Sequence, residues 1–324
     1  MRLQFPFIQL PLRFDAQALA AELATLDEAE WRPHPQGFPG NSALPLIAVD
    51  GDPDNDGLVG PMRPTPLLAR FPYLNQVLGS LGGVLGRTRL MRLSGQSEVT
   101  PHIDQAYYWA ERMRVHVPIV TQPAVRFFCG SADIHMAAGE CWIFDTWRLH
   151  RVLNDADQPR IHLVADTVGG SGYWQWLRQA RPHDRSPPGW LPQRISPSAG
   201  PVPELDYESK NLPEVMTPWG ARDHLSFLVS EGIPSRELNA FVQLMNNFLR
   251  LWQALWAKYG ESSTGLVEYR QRRDEFDKDI AAFEPLMLRN GIPLVNAVRN
   301  IVLKCLVAEK LVGPDIEQRD RPRA

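Results

Sequence analysis

Pro101-His102-Ile103-Asp104 places an imidazole and a carboxylate two residues apart. In a strand, residues i and i+2 project from the same face, so His102 and Asp104 can grip one metal ion. A second histidine, His150, ends the run Trp142-Ile143-Phe144-Asp145-Thr146-Trp147-Arg148-Leu149-His150, where a later strand can return beside the first. Two histidines and one carboxylate on one side of a divalent ion form a facial triad, the ligand set of non-haem iron oxygenases, with positions left open for a bidentate co-substrate and oxygen. His102, Asp104 and His150 are therefore the candidate metal ligands and catalytic residues. The plainer alternatives are two buried, hydrogen-bonded histidines and a solvated turn aspartate.

Ten residues after His150, the segment Arg160-Ile161-His162-Leu163-Val164-Ala165-Asp166 alternates so that Arg160 and His162 share one face and Ile161 and Leu163 the other. A buried guanidinium needs an anionic partner. A carboxylate of a dicarboxylic co-substrate such as 2-oxoglutarate would satisfy it bidentately; a local Asp155 or Asp157 is the ordinary alternative. Met113-Arg114-Val115-His116-Val117-Pro118-Ile119 alternates in the same way and sets Arg114 and His116 on one face. Tyr107, Tyr108 and Trp109 follow the metal motif closely enough to line a substrate pocket, although aromatic clusters more often serve packing.

Taken together, Arg89, Leu93-Ser94-Gly95, Pro101-His102-Ile103-Asp104, Arg114-Val115-His116-Val117-Pro118-Ile119, Gly139-Glu140-Cys141-Trp142-Ile143-Phe144-Asp145, His150, Asn154 and Arg160 through Asp166 resemble the aspartyl/asparaginyl β-hydroxylase family of Fe(II)/2-oxoglutarate-dependent dioxygenases. The resemblance runs over about residues 67–170. The helical tail is similar in architecture to that of the family's bacterial free-amino-acid branch, which includes the proline cis-4-hydroxylases. The resemblance implies that His102, Asp104 and His150 hold Fe(II), that Arg160 holds the distal carboxylate of 2-oxoglutarate, and that Arg114 and His116 lie near the co-substrate's other end. Some animal members have glycine in place of Asp104 and a serine where this chain has Met91-Arg92. The implied activity is hydroxylation of an aliphatic C–H bond with O2 as second co-substrate and release of succinate and CO2. Its substrate would be an Asp or Asn β-carbon in a peptide or protein, or a free amino acid such as proline.

The elements that must position these residues are short strands. Arg89–Leu93, Glu98–Asp104, Met113–Val120, Val125–Cys129, Cys141–Asp145 and Ile161–Thr167 are apolar runs bounded by Gly, Pro, Asn or Asp. Their number and spacing suggest a sandwich or jelly-roll barrel. The expected fold is a mainly β double-stranded β-helix (jelly-roll, cupin-like) core with flanking helices and a C-terminal α-helical domain. The expected division is 1–180 for the dioxygenase jelly roll, 181–218 for a proline-rich linker or strap, 219–312 for the helical domain and 313–324 for a flexible tail. A helix is expected over residues 15–30 with Asp15 as its N-cap, and loop with short strands over 31–66. The run Asp52-Pro53-Asp54-Asn55-Asp56-Gly57 begins like a calcium loop, but Arg63 stands where the closing bidentate Glu belongs, so it reads as a turn. In the tail, Leu238, Phe241, Val242, Met245, Phe248, Leu249, Trp252, Leu255 and Trp256 recur at helical spacing, as do Val295, Val298, Ile301, Val302, Cys305 and Leu306, which marks helical core.

Composition narrows the function classes. The 324 residues are 44% hydrophobic and 22% charged, those of a globular chain rather than a disordered one. With 34 basic and 37 acidic residues the net charge is −3, too small a field to recruit nucleic acid or an acidic membrane surface. Three scattered cysteines build neither a disulfide framework nor a thiolate zinc site. No stretch resembles a signal peptide or a membrane span, so a cytoplasmic enzyme is expected. Oligomeric state is not encoded in any of these features. Two rivals share the ligand set: a non-catalytic cupin-like metal- or ligand-binding barrel, and a zinc hydrolase activating water.

Overall fold

The computed structural model describes residues 2–34 and 38–308, so the expectation for residues 313–324 lies outside the described residues. The chain divides into two compact units: Met1–Ile103 with Glu111–Ser209, and Asp104–Ala110 with the chain from Lys210 onward.

The first unit is β-rich. Its principal strands are β1 (Phe7–Phe14), β2 (Asn41–Val49), β3 (Val84–Leu93), β4 (Ser97–His102), β5 (Met113–Val120), β6 (Val125–Cys129), β7 (Glu140–Phe144), β8 (His150–Asn154) and β9 (Arg160–Gly169). The larger sheet has ten strands and runs β1-β7-β5-β9-β3-β2 through its centre, while the smaller has four and runs β4-β8-β6 followed by the short strand Ala132–Ile134. From β3 to β9 the principal strands alternate between the two sheets, with the short strand Ala132–Ile134 folded back on β6, which is the winding of a double-stranded β-helix. The expected jelly-roll core is therefore the observed one.

Apolar side chains from both sheets meet between them. Phe7, Leu93, Trp142 and Phe144 of the larger sheet pack with Val125, Phe127, Cys129 and Val152 of the smaller in a single cluster, which identifies the inward faces. Residues directly opposite across a ladder share a face. His116 pairs with Trp142, and both His116 and Arg89 pair with Val164, so all three point inward. Arg160 pairs with inward Leu93, and His162 lies two residues on along the same strand.

Three expectations are corrected in detail. The strand expected over Glu98–Asp104 ends at His102, so Asp104 follows the strand instead of sitting in its pleat. Asn41–Val49, expected within loop, is a nine-residue strand paired with β3; Pro45, which lacks an N–H, sits beside a register irregularity that tolerates it. The helix expected over 15–30 stops at Leu23, because Asp27 caps a separate 3₁₀ turn over Glu28–Glu30. Its N-cap stands as read: the Asp15 carboxylate accepts from the N–H groups of Gln17 and Ala18, each at 3.0 Å. The proline-dense stretch, expected as a linker or strap, divides between the two units. Through Ser209 it belongs to the β unit, where the Glu208 carboxylate accepts from Arg112 at 2.7 and 3.1 Å with both side chains buried. Beyond it, Met216 N–H donates to Leu306 O within the helical unit.

Asp52–Gly57 folds as the turn it resembles. Asp52 accepts from Asp54 N–H and Asn55 from Gly57 N–H, while the Arg32 guanidinium is bonded to the Asp54 carboxylate. All three cysteines are buried, and none of them is in a disulfide. No helix among the described residues is long and apolar enough to cross a membrane.

The second unit is built on the helices Pro218–Glu231, Arg236–Tyr259 and Leu266–Ile280. Most of the stripe read from the sequence is its seam: Leu238, Phe241, Met245, Phe248, Leu249 and Trp252 are buried, whereas Val242, Leu255 and Trp256 are only half-buried, and Phe248 stacks on Phe276 at 4.1 Å between ring centroids. Trp252 Nε1 donates to Met216 O at 2.8 Å, satisfying the indole's one donor. Tyr108 and Trp109 are buried in edge-to-face contact, and Tyr107 packs against His224, so this aromatic run serves the helical unit's own packing.

Candidate metal and co-substrate site

His102 ends β4 and His150 begins β8, and the two are direct cross-strand partners in the smaller sheet. Their rings lie 4.1 Å apart at 60°. Two residues past the strand end, Asp104 joins them: one potential ligand atom from each of His102, Asp104 and His150 falls within 4.8 Å of the others, and all three residues are buried. The structure thus brings together the three residues singled out in the sequence, but the third arrives by a different route. The chain leaves the strand after His102, and the turn that follows, rather than the pleat, carries the carboxylate alongside.

The imidazoles are fixed by their own strands. His102 Nδ1 is 2.8 Å from Thr100 O and His150 Nδ1 is 2.9 Å from Arg148 O. A carbonyl only accepts, so each Nδ1 carries the proton and donates, leaving Nε2 with the lone pair a metal needs. The loop before His150 is braced in turn. The buried Asp145 carboxylate accepts from Trp147 N–H at 3.0 Å and Arg148 Nε at 2.9 Å. Burial nevertheless raises the Asp145 pKa above the ordinary carboxylate value, outweighing these bonds. Cys129, opposite His150 on β6, donates its thiol to Asp145 O at 3.3 Å. Burial pushes that thiol up to about 12, so it remains a protonated structural donor and not a metal ligand.

An aromatic path leads inward from the histidine pair. His150 contacts Phe144, Phe144 contacts His116, and His116 meets Phe127 and His162. Phe127 stacks on His162 at 5.5 Å and 12°, while its ring carries the Arg160 guanidinium 5.0 Å from its centroid. Among the described residues Arg160 makes no ion pair, with Asp155, Asp157 or any other carboxylate, and its Nε has no hydrogen-bond partner. It is 4% exposed, and burial pulls its pKa down to about 9. His162 is held well below its ordinary pKa by burial first, then by the charges of Arg160, His116 and His135. It is therefore neutral, and its Nδ1 and that of His116, 3.4 Å apart, share one proton as donor and acceptor.

Arg114 and His116 share the inward face, as their alternation predicted. Arg114 Nε is 3.2 Å from the buried Asp166 carboxylate, its cross-strand partner, so its charge is already matched within the protein. Asn154 is architectural: its Nδ2 donates to Leu93 O, Ser94 O and Gln158 O, tying β8 to the end of β3. Two residues of this region escaped the sequence reading as functional candidates. Arg89 lies inward and buried beside Val164, which strand alternation in β3 could have shown. Gln105, next to Asp104, is buried too, and no local signal marks it.

The donor set fits a divalent metal. Two imidazoles and a carboxylate converge, and the buried guanidinium of Arg160 on the inward face, whose Nε has no hydrogen-bond partner, asks for a carboxylate that no described residue supplies. Comparison with known proteins agrees with the family resemblance. Residues 58–169 match the model of the family described as Aspartyl/Asparaginyl beta-hydroxylase. L-proline cis-3-hydroxylase 1 from a Streptomyces species is 28% identical over 155 residues, 45% of this chain and 52% of the relative, so the chain spans about half the length of the curated relative it matches. Among solved structures, a 2OG-Fe(II) oxygenase family oxidoreductase from Burkholderia pseudomallei aligns at 13% identity with a TM-score of 0.36, covering 49% of this chain and 80% of that one. A Pseudomonas putida prolyl-4-hydroxylase aligns at 18% identity with a TM-score of 0.32, covering 51% and 92%.

Proposed function

We propose that this protein is an Fe(II)- and 2-oxoglutarate-dependent dioxygenase that hydroxylates an aliphatic C–H bond of an amino acid. The observation that carries the reading is Arg160: a buried guanidinium with no ion pair among the described residues, on the inward face of a barrel beside which His102, Asp104 and His150 come together. A charge left unpaired in an apolar interior is costly, and a bidentate carboxylate is the partner its planar fork fits. A hydrolase built on the same three ligands has no use for such an anchor.

His102, Asp104 and His150 would hold the iron, with Nε2 as the donor atom of both imidazoles. When bound, iron with 2-oxoglutarate and O2 supplies the oxidising power that no side chain of this protein possesses. The chain's own work is positioning and exclusion. Arg160 binds the distal carboxylate of 2-oxoglutarate. Neutral His162, stacked on Phe127, adds no charge that would compete with that cation, and its pairing with His116 fixes both rings. Asp166 holds Arg114 in place toward the co-substrate's keto-acid end. Phe144, Phe127 and Trp142 pack as a buried apolar cluster among these polar side chains, and such surroundings strengthen each of these electrostatic contacts.

The name of the Streptomyces relative supports a free amino acid, with proline the first to try; a peptide or protein substrate is the alternative. Purified protein incubated with Fe(II), ascorbate, 2-oxoglutarate and a panel of free amino acids and peptides is expected to form succinate and to add one oxygen atom to a member of the panel, read by mass spectrometry. No succinate with any candidate would leave a non-catalytic barrel.

A further inference from the structure

Gln105 follows Asp104 directly and is 2% exposed. Neither its Oε1 nor its Nε2 has a hydrogen-bond partner among the described residues. A primary amide offers two donors and two acceptor lone pairs, and buried polar side chains almost always find partners. A leucine would fill nearly the same volume without stripping an amide of water. The residue lies in the segment between the end of β4 at His102 and the short helix Tyr107–Glu111, where no ladder bonds fix the chain. Consecutive Cα atoms are only ~3.8 Å apart, so Gln105 is anchored on the backbone next to Asp104.

We infer that Gln105 is a specificity-determining residue that reads the ammonium and carboxylate groups of an α-amino-acid substrate; this rests on the amino-acid hydroxylase reading above. The vacant groups are chemically particular. Being neutral, the amide is neither a metal ligand of the expected set nor an anchor for a dianionic co-substrate, a part Arg160 already fills. With donor and acceptor side by side on one planar group, it matches a zwitterion: the Nε2 hydrogens donate to the carboxylate and Oε1 accepts from the ammonium. Held this way, the amino acid presents its side-chain carbons, not its charged end, to the metal. A ligand lacking either charged group leaves half of the amide unmatched, so the site rejects it by the same penalty that makes the vacant residue unusual.

The test uses the full chain loaded anaerobically with Fe(II) and 2-oxoglutarate, titrated calorimetrically with L-proline and then with the other proteinogenic L-amino acids. Wild type, Gln105→Leu and Gln105→Glu are compared. Gln105→Leu is expected to melt at or above the wild-type temperature, to bind metal and 2-oxoglutarate unchanged, and to lose about 10- to 100-fold in amino-acid affinity. In turnover the loss falls on KM, with kcat within a few-fold. Gln105→Glu, which keeps acceptors but meets the substrate carboxylate with a like charge, is expected to lose more. The amino-acid methyl ester and the N-acetyl derivative should each bind the wild type more weakly. Equal affinity in wild type and Gln105→Leu overturns this inference and leaves the hydroxylase reading intact. So does a Gln105→Leu protein that melts several degrees lower and loses metal together with substrate, since that is a packing role. If the wild type binds no amino acid at all, the amino-acid reading itself falls and takes this one with it.

Discussion

Replacing Arg160 with methionine separates its cost from its use. The native guanidinium is 4% exposed and its pKa is pulled from 12.5 to about 9 by burial. At about 1.4 kcal/mol per factor of ten, that is on the order of 5 kcal/mol held against the charged form in the ligand-free protein. Methionine keeps the apolar stem against Phe127 and removes the charge. Replacing buried charges by apolar side chains of similar volume is commonly stabilising by about 1–4 kcal/mol, so Arg160→Met without co-substrate should melt several degrees higher than the wild type. The sign with pH follows. Between about 9 and 12.5 the unfolded chain holds this proton and the native state does not, so wild-type stability gains from rising pH in that window relative to the variant. With 2-oxoglutarate the order reverses. Two charge-assisted hydrogen bonds worth about 1.5–3 kcal/mol each predict a 2-oxoglutarate affinity at least 100-fold weaker in Arg160→Met, and little thermal stabilisation on adding it. Melting curves with and without 2-oxoglutarate, plus calorimetric titration, read both effects. A variant that is less stable without co-substrate yet binds 2-oxoglutarate like the wild type would refute the reasoning.

Two further outcomes concern the frame around the site. His162 is kept neutral by burial, so as pH falls below 6.5 the unfolded chain takes up a proton that the native state refuses; wild-type stability should decline there, and His162→Phe should flatten that decline in urea titrations at pH 5 and 7. Glu208 and Arg112 form a bidentate ion pair with each side chain 3% exposed, so Glu208→Ala, which strands the guanidinium, should cost about 3–5 kcal/mol by denaturant unfolding, while Glu208→Ala with Arg112→Met should recover a large part.

The jelly-roll strands could be read from sequence because their apolar runs and flanking turn residues agree with the tertiary arrangement. Met113–Val120 and Val125–Cys129 have the boundaries their composition indicates, and the inward pairing of Arg114 with His116 and of Arg160 with His162 follows from a period of two. Asn41–Val49 was hidden by its setting: flanking Pro, Gly and Asp read as loop, and only the partner β3 makes Pro45 acceptable in a sheet. Asp104 is singled out in the sequence for a reason that does not hold, since the strand stops at His102 and residues 104–110 belong with the helical unit. Gln105 could not be found at all from sequence. Its significance is a hydrogen-bond vacancy, which exists only once every neighbour is in place.

The most direct measurement is an anaerobic calorimetric titration of metal-stripped protein with Fe(II), repeated on His102→Ala, Asp104→Ala and His150→Ala. The account predicts one ion per chain in the wild type. Binding should be abolished or weakened by at least two orders of magnitude in each histidine variant, and also weakened in Asp104→Ala, with all three variants still folded by circular dichroism. Wild-type protein that takes up no ion, or histidine variants that bind it as the wild type does, would contradict the convergence of these three side chains on one metal.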